Sequence, residues 1–166
     1  MIMKIRYGAF ETNSSSAHSI VLDAAKDKMP PLTKEEALKS LSDICEGELI
    51  GGDELDLSKV NPNELRFGWG YDTFGDFGHK LFYTLATCRY DADKFDDLER
   101  FIKEFFGVKR IKYAPDEYGG GKKLLVGVVD HQSMSTLSDF CVSGGVTAID
   151  FILNRKYILI VDNDNG

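Results

Sequence analysis

The chain has 166 residues, which suits one compact domain, and with 43% hydrophobic residues it can bury a proper core. The balance of 27 acidic to 20 basic residues gives a net charge of −7 and an isoelectric point near 5.0, which argues against phosphate-backbone binding and direct nucleic-acid recognition as the main activity. An acidic chain favours a cation, a neutral ligand or a basic partner.

Cys45, Cys88 and Cys141 are widely spaced and contain no CxxC pair, so neither a disulfide framework nor a thiolate zinc site is indicated, and a reducing cytoplasm is expected. Lys4 and Arg6 lie inside a strand-like pattern with no apolar run of signal-peptide length after them, and no apolar run is long enough to span a bilayer. Neither export by that route nor a membrane location is expected.

Residues 2–10 alternate and residues 19–23 (SIVLD) are β-branched, so two strands are predicted, with the polar stretch FETNSSSAHS as a loop between them. Residues 24–32 form an exposed connector. Thr33 and Glu36 make a capping box, and the apolar positions Ala37, Leu38, Leu41, Ile44 and Cys45 predict an amphipathic helix reaching about Glu46 and stopped by Gly47. Residues 47–64 are acidic and turn-rich, a surface loop with at most short pieces of order. In residues 66–80 aromatics and glycines alternate, a pattern that either covers a ligand or packs irregularly.

Residues 79–89 carry one apolar helical face, and Asp91 caps a further helix that Gly107 ends. Residues 108–113 and 123–129 read as strands joined by the Gly119-Gly120-Gly121 turn into a β-hairpin. The following GKK does not make this a phosphate loop, because the GxxxxGK[ST] spacing is missing. Short helices are predicted over 135–142 and 147–153, with a break at Gly144-Gly145, and KYILIV (156–161) is a buried strand. The sum is a single α+β domain over 1–166, with a mixed or antiparallel sheet and three to five helices.

Three strand-like runs stop abruptly in polar residues: Glu11 to His18, Asp130-His131-Gln132-Ser133 and Asp162-Asn163-Asp164-Asn165. Strand ends hold side chains rigidly toward a cleft, so three such clusters suggest one site. Glu11 offers a carboxylate, Thr12, Asn13, Ser14, Ser15 and Ser16 offer hydrogen-bonding groups for an anion or ligand, and His18 is titratable. The plain alternative is a loop whose hydroxyls satisfy nearby backbone. Asp130 is a candidate ion ligand and His131 an acid–base group or ligand, with Gln132 and Ser133 as ligand contacts; the alternative is a strand-end turn with a hydrogen-bonded histidine. Asp162 and Asp164 have the spacing of oxygen donors in calcium loops, without the glycine and distal glutamate of an EF-hand; the alternative is a polar tail.

KIRYGAFETNSSSAHSIV, VVDHQS and ILNRKYILIVDNDN resemble the landmarks of an uncharacterised bacteriophage- and prophage-associated protein family, at both ends of the chain and near the predicted hairpin. The resemblance implies a phage or mobile-element context and action in the host cytoplasm, and it supplies no catalytic residue. Combined with the clusters, the expectation is a polar cleft that binds a small ligand or a divalent ion. As an enzyme it would perform metal-assisted hydrolysis or group transfer, with Asp130, Asp162 and Asp164 on the ion and His18 or His131 as acid–base. Two rivals are an acidic inhibitor or adaptor that engages a basic host protein, and a structural phage protein whose clusters only hold strand ends together.

Overall fold

The computed structural model describes residues 6–7, 16–26, 28–67, 70–115, 124–130 and 133–163. From the N-terminus, strands β1 (Arg6–Tyr7) and β2 (Ser16–Leu22) precede helix α1 (Lys34–Ser42). Strands β3 (Ile50–Gly51), β4 (Glu54–Leu57), β5 (Arg66–Phe67) and β6 (Asp72–Phe74) lead into helices α2 (Phe77–Cys88) and α3 (Ala92–Phe106). Strands β7 (Arg110–Tyr113) and β8 (Val128–Val129), helices α4 (Thr136–Gly144) and α5 (Ala148–Leu153) and strand β9 (Tyr157–Asn163) complete the order. The α+β class and the five helices agree with the sequence reading. Among the described residues no helix is long and apolar enough to cross a membrane.

Helix α2 is the centre of the packing. Every residue of 77–86 except His79 is buried, as befits a helix apolar on nearly all sides. Helices α1, α3 and α5 and strand β8 lie against it, while α4 packs on β2 and α5. The caps form as the sequence indicates. Thr33 and Glu36 close a capping box at α1, Asp91 accepts from Lys94 N at α3, and Gly107 ends α3 in the left-handed region at φ 70°. A further capping box that the sequence reading did not name, Thr147 with Asp150, starts α5.

Three sheets are present among the described residues. The largest is antiparallel in the order β1-β2-β9-β6. In the second, β4 pairs antiparallel with β3 and parallel with β7; in the third, β5 and β8 run parallel.

Four expectations change. The predicted hairpin of 108–113 with 123–129 does not form a ladder: only an isolated bridge, Pro115 to Leu124, joins the two segments, and each pairs instead with an earlier strand. The glycine turn between them lies outside the described residues. The acidic stretch 47–64 is more ordered than a surface loop, because Leu55 and Leu57 of β4 are fully buried and carry it into the core. Helix α1 ends at Ser42, since Cys45 leaves the helix to bridge Val60, and burial of both overrides the helical periodicity. Finally, β2 starts at Ser16, so the end of the polar stretch, His18 included, is strand and not loop.

The contact of α1 with α2 depends on Gly78. A Cβ there would stand 3.0 Å from the Ser40 carbonyl oxygen and 3.0 Å from Ile44 Cδ1. The Gly78 N–H also donates to Ser40 Oγ at 2.8 Å, which in turn donates to Asp76 at 2.9 Å. Alanine improves helix propensity by about 1 kcal/mol, but here the backbone carbonyl must retreat. Gly78→Ala is expected to lower stability by roughly 1–3 kcal/mol in urea unfolding, and a neutral or stabilising result would contradict this close approach.

Candidate functional site

The antiparallel register of β2 with β9 decides which polar groups can meet. Ser16 is opposite Asn163, Ala17 opposite Asp162 and His18 opposite Val161. Paired residues share a sheet face and successive residues alternate. His18, Ile20, Leu159 and Val161 therefore face the helices, and the three apolar ones belong to the main core. Asp162, Ser19, Val21 and Ile160 face the other side, where Val21 and Ile160 are buried apart from that core. The first and third clusters are thus neighbours along the ladder, but Asp162 points away from His18. One ion held by both is not what this register builds.

The second cluster joins His18 on the helix side. Asp130 follows β8, its N–H donating to Phe67 O at 3.3 Å, and its carboxylate lies close enough for its charge to act on His18. Ser133, buried, donates its N–H to Asp130 O at 2.9 Å and leads into α4. The buried Thr136 of α4 lies beside the Tyr83 phenol of α2, close enough for its hydroxyl to act on the phenol's pKa. That phenol lies 3.0 Å from His18 Nδ1, with the two rings 5.7 Å apart. Phe67 packs edge-on to Tyr83 at 5.2 Å and closes the apolar side.

His18 is 1% exposed, and its Nε2 has no hydrogen-bond partner among the described residues. Burial lowers its pKa from 6.5 to about 4 against the opposing pull of Asp130, so the imidazole is neutral at neutral pH. This is a poor proton carrier. The surroundings suit a neutral hydrogen-bonding or ligating imidazole, so the acid–base role offered to His18 by its position in the sequence fits it badly. Burial also pushes the Tyr83 phenol well above its ordinary pKa, so it remains a neutral hydroxyl that can accept from or donate to Nδ1.

Glu11, Thr12, Asn13, Ser14, Ser15, His131, Gln132 and Asp164 lie outside the described residues. Among those described, no group of three or more His, Cys, Asp or Glu side chains converges to hold an ion. The sequence reading missed Tyr83 and Thr136. The available signal was a hydroxyl-bearing aromatic in the middle of the apolar run LFYTLAT, because a buried phenol needs a partner. His79, at the start of α2, stacks on Phe74 at 4.7 Å and lies 2.8 Å from Asp76 Oδ2. Cys45, Cys88 and Cys141 are free thiols, and burial raises the pKa of each. They are therefore poor nucleophiles.

Comparison of the chain with protein-family models, with curated proteins and with solved structures finds no match.

The histidine makes folding pH-dependent in a calculable direction. Its folded pKa lies below the unfolded one, so folding excludes a proton; its contribution is complete above pH 6.5 and is lost as the pH falls from 6.5 through 4. The loss at its limit is roughly 3 kcal/mol. Urea midpoints measured across that window should fall in the parent, with this part of the slope missing in His18→Gln. Equal slopes in the two proteins would show that His18 is not the buried neutral group described. Tyr83→Phe, which leaves Nδ1 unpaired, should lower stability by about 1–3 kcal/mol at neutral pH.

Proposed function

We propose that the chain is a phage-type cytoplasmic protein that binds a small ligand or a divalent ion at the corner formed by β2, α2 and the segment between β8 and α4. The observation that carries the reading is His18, buried and neutral, with Nδ1 held by Tyr83, Nε2 unpartnered among the described residues, and the Asp130 charge beside it. Metal-binding histidines are commonly held in this way through a hydrogen bond on the other ring nitrogen. An imidazole that stays neutral down to about pH 4 also loses little ion affinity to protons.

Imidazole nitrogen and carboxylate oxygen together favour a divalent transition metal over calcium. Further donors and anion contacts would come from the motif residues next in sequence, Glu11 for the ion and the hydroxyls of Ser14, Ser15 and Ser16 for an anionic group. The chemistry of such a set is metal-assisted hydrolysis or group transfer, with Asp130 on the ion and His131 moving the proton. The phage context and the cytoplasm rest on the motif resemblance and on the unpaired thiols.

The rival reading, an acidic adaptor for a basic host protein, is weakened by the neighbours of its carboxylates. Asp53 bonds Arg110 at 2.7 Å, Glu54 bonds the same side chain at 3.3 Å and Asp56 bonds Lys112 at 3.0 Å. Much of the acidity of the 47–64 stretch is thus answered by β7 within the chain.

Thermal unfolding against magnesium, manganese and zinc ions, nucleotides and sugar phosphates tests the proposal. A ligand present at 100 times its Kd adds about 2.7 kcal/mol and raises the midpoint by several degrees. The rise is expected to vanish in Asp130→Asn and His18→Gln and to persist in Asp162→Asn, whose side chain faces away. No rise with any compound of the panel, or a rise untouched by Asp130→Asn, would overturn it.

A further inference from the structure

A second polar constellation lies at the other end of α2. Two recesses of about 270 and 250 Å³ share Lys26, Met29, Leu32, Leu153 and Arg155 in their walls, and the second also reaches Lys80. None of their lining residues belongs to the His18 corner. In a chain of net charge −7, basic groups from three different segments converge here: the 3-10 turn after β2, helix α2 and the loop between α5 and β9.

The donors are incompletely used. Lys80 is 1% exposed, and its ammonium donates to the Asn154 carbonyl at 2.8 Å and more weakly to the Tyr157 carbonyl at 3.4 Å. The same ammonium also lies over the Phe151 ring, 5.5 Å from its centre. The charge of Lys26 acts on Lys80, and its Nζ lies 3.8 Å from the position of a Cβ built on Gly75 at the mouth of α2. Arg155 engages Glu36 through its terminal nitrogen, but its Nε is buried without a partner among the described residues.

The nearby acids meet part of this positive charge, Glu36 at Arg155 and Asp23 at Lys26, while Asp76 is engaged by His79 and Ser40. Glu36 also serves the capping box of α1, and Asp23 stands 3.9 Å from Lys26. Burial and the Lys26 charge hold the Lys80 pKa down to about 7, against the pull of Asp76. What remains for an added anion is the buried, unpartnered Arg155 Nε beside the Lys26 and Lys80 ammonium groups.

We propose that this recess binds a small organic anion, a phosphate monoester or carboxylate on an apolar body, with its head among Lys26, Lys80 and Arg155 and its body against Met29, Leu32 and Leu153. The site is independent of the His18 corner.

Titration calorimetry of the full chain with phenyl phosphate, benzoate, phenol and inorganic phosphate tests it. Phenyl phosphate or benzoate should bind one per chain, phenol should not, and inorganic phosphate should bind more weakly for want of the apolar body. Lys26→Met, a half-exposed position that leaves the core untouched, should weaken the anion by about tenfold, the equivalent of one charged hydrogen bond. Lys80→Met should abolish binding, and His18→Gln should retain it, which separates this site from the other corner. Absence of binding by either organic anion, phenol binding as tightly as phenyl phosphate, or an unchanged Lys26→Met would overturn the inference.

Discussion

A helix buried on every side must settle each polar group it carries, and α2 carries several. Its backbone satisfies itself, and Thr84 turns its hydroxyl back onto the Lys80 carbonyl at 2.8 Å. Lys80 and Tyr83 have no such local escape. Lys80 finds carbonyls at the junction of α5 with β9, and Tyr83 finds His18 on β2. An unpaired buried donor costs about 1–3 kcal/mol, so these two contacts tie the neighbouring strands of the main sheet to one helix at defined points. Both candidate sites lie at those ties, where the core has been made polar.

The sheet then divides what the helix gathers. Because side chains along a strand alternate, the same ladder that brings Asp162 beside Ala17 turns it away from His18. Three polar motifs at strand ends therefore give two environments. On the helix side, His18, Asp130, Ser133, Tyr83 and Thr136 form a closed, low-dielectric corner. On the other side, Asp162 ends a face whose buried residues, Ser19, Val21 and Ile160, stand apart from the main core. Proximity along a ladder is not convergence on a ligand.

The parts legible in the sequence are those written in local chemistry. Thr33 with Glu36 marks the start of α1, and Asp91 and Gly107 mark the two ends of α3, through bonds spanning a few residues, and the structure keeps them. The strand pairings were not legible in this way. Residues 108–113 and 123–129 look like a hairpin because they are adjacent and apolar, yet β7 pairs with β4 and β8 with β5, more than 50 residues away in register terms such as Leu55 with Ile111. Parallel pairing between distant segments leaves no turn signature to read. The clusters themselves were visible as abrupt changes in polarity, but their partners Tyr83 and Thr136 were hidden inside apolar helical patterns.

Charge follows the same logic of distant pairing. The net charge of −7 describes the whole chain and says little about any one concave surface. Arg110 and Lys112 alternate along β7 and meet Asp53, Glu54 and Asp56 of the neighbouring segment, so the acidic 47–64 stretch is partly neutralised as soon as the sheet forms. Lys26, Lys80 and Arg155 have the opposite fate. They come from segments separated by more than 50 residues and meet around one recess, where Arg155 keeps a buried Nε without a partner among the described residues. An acidic chain can thus hold an anion-attracting hollow, because folding redistributes charge by topology and not by composition.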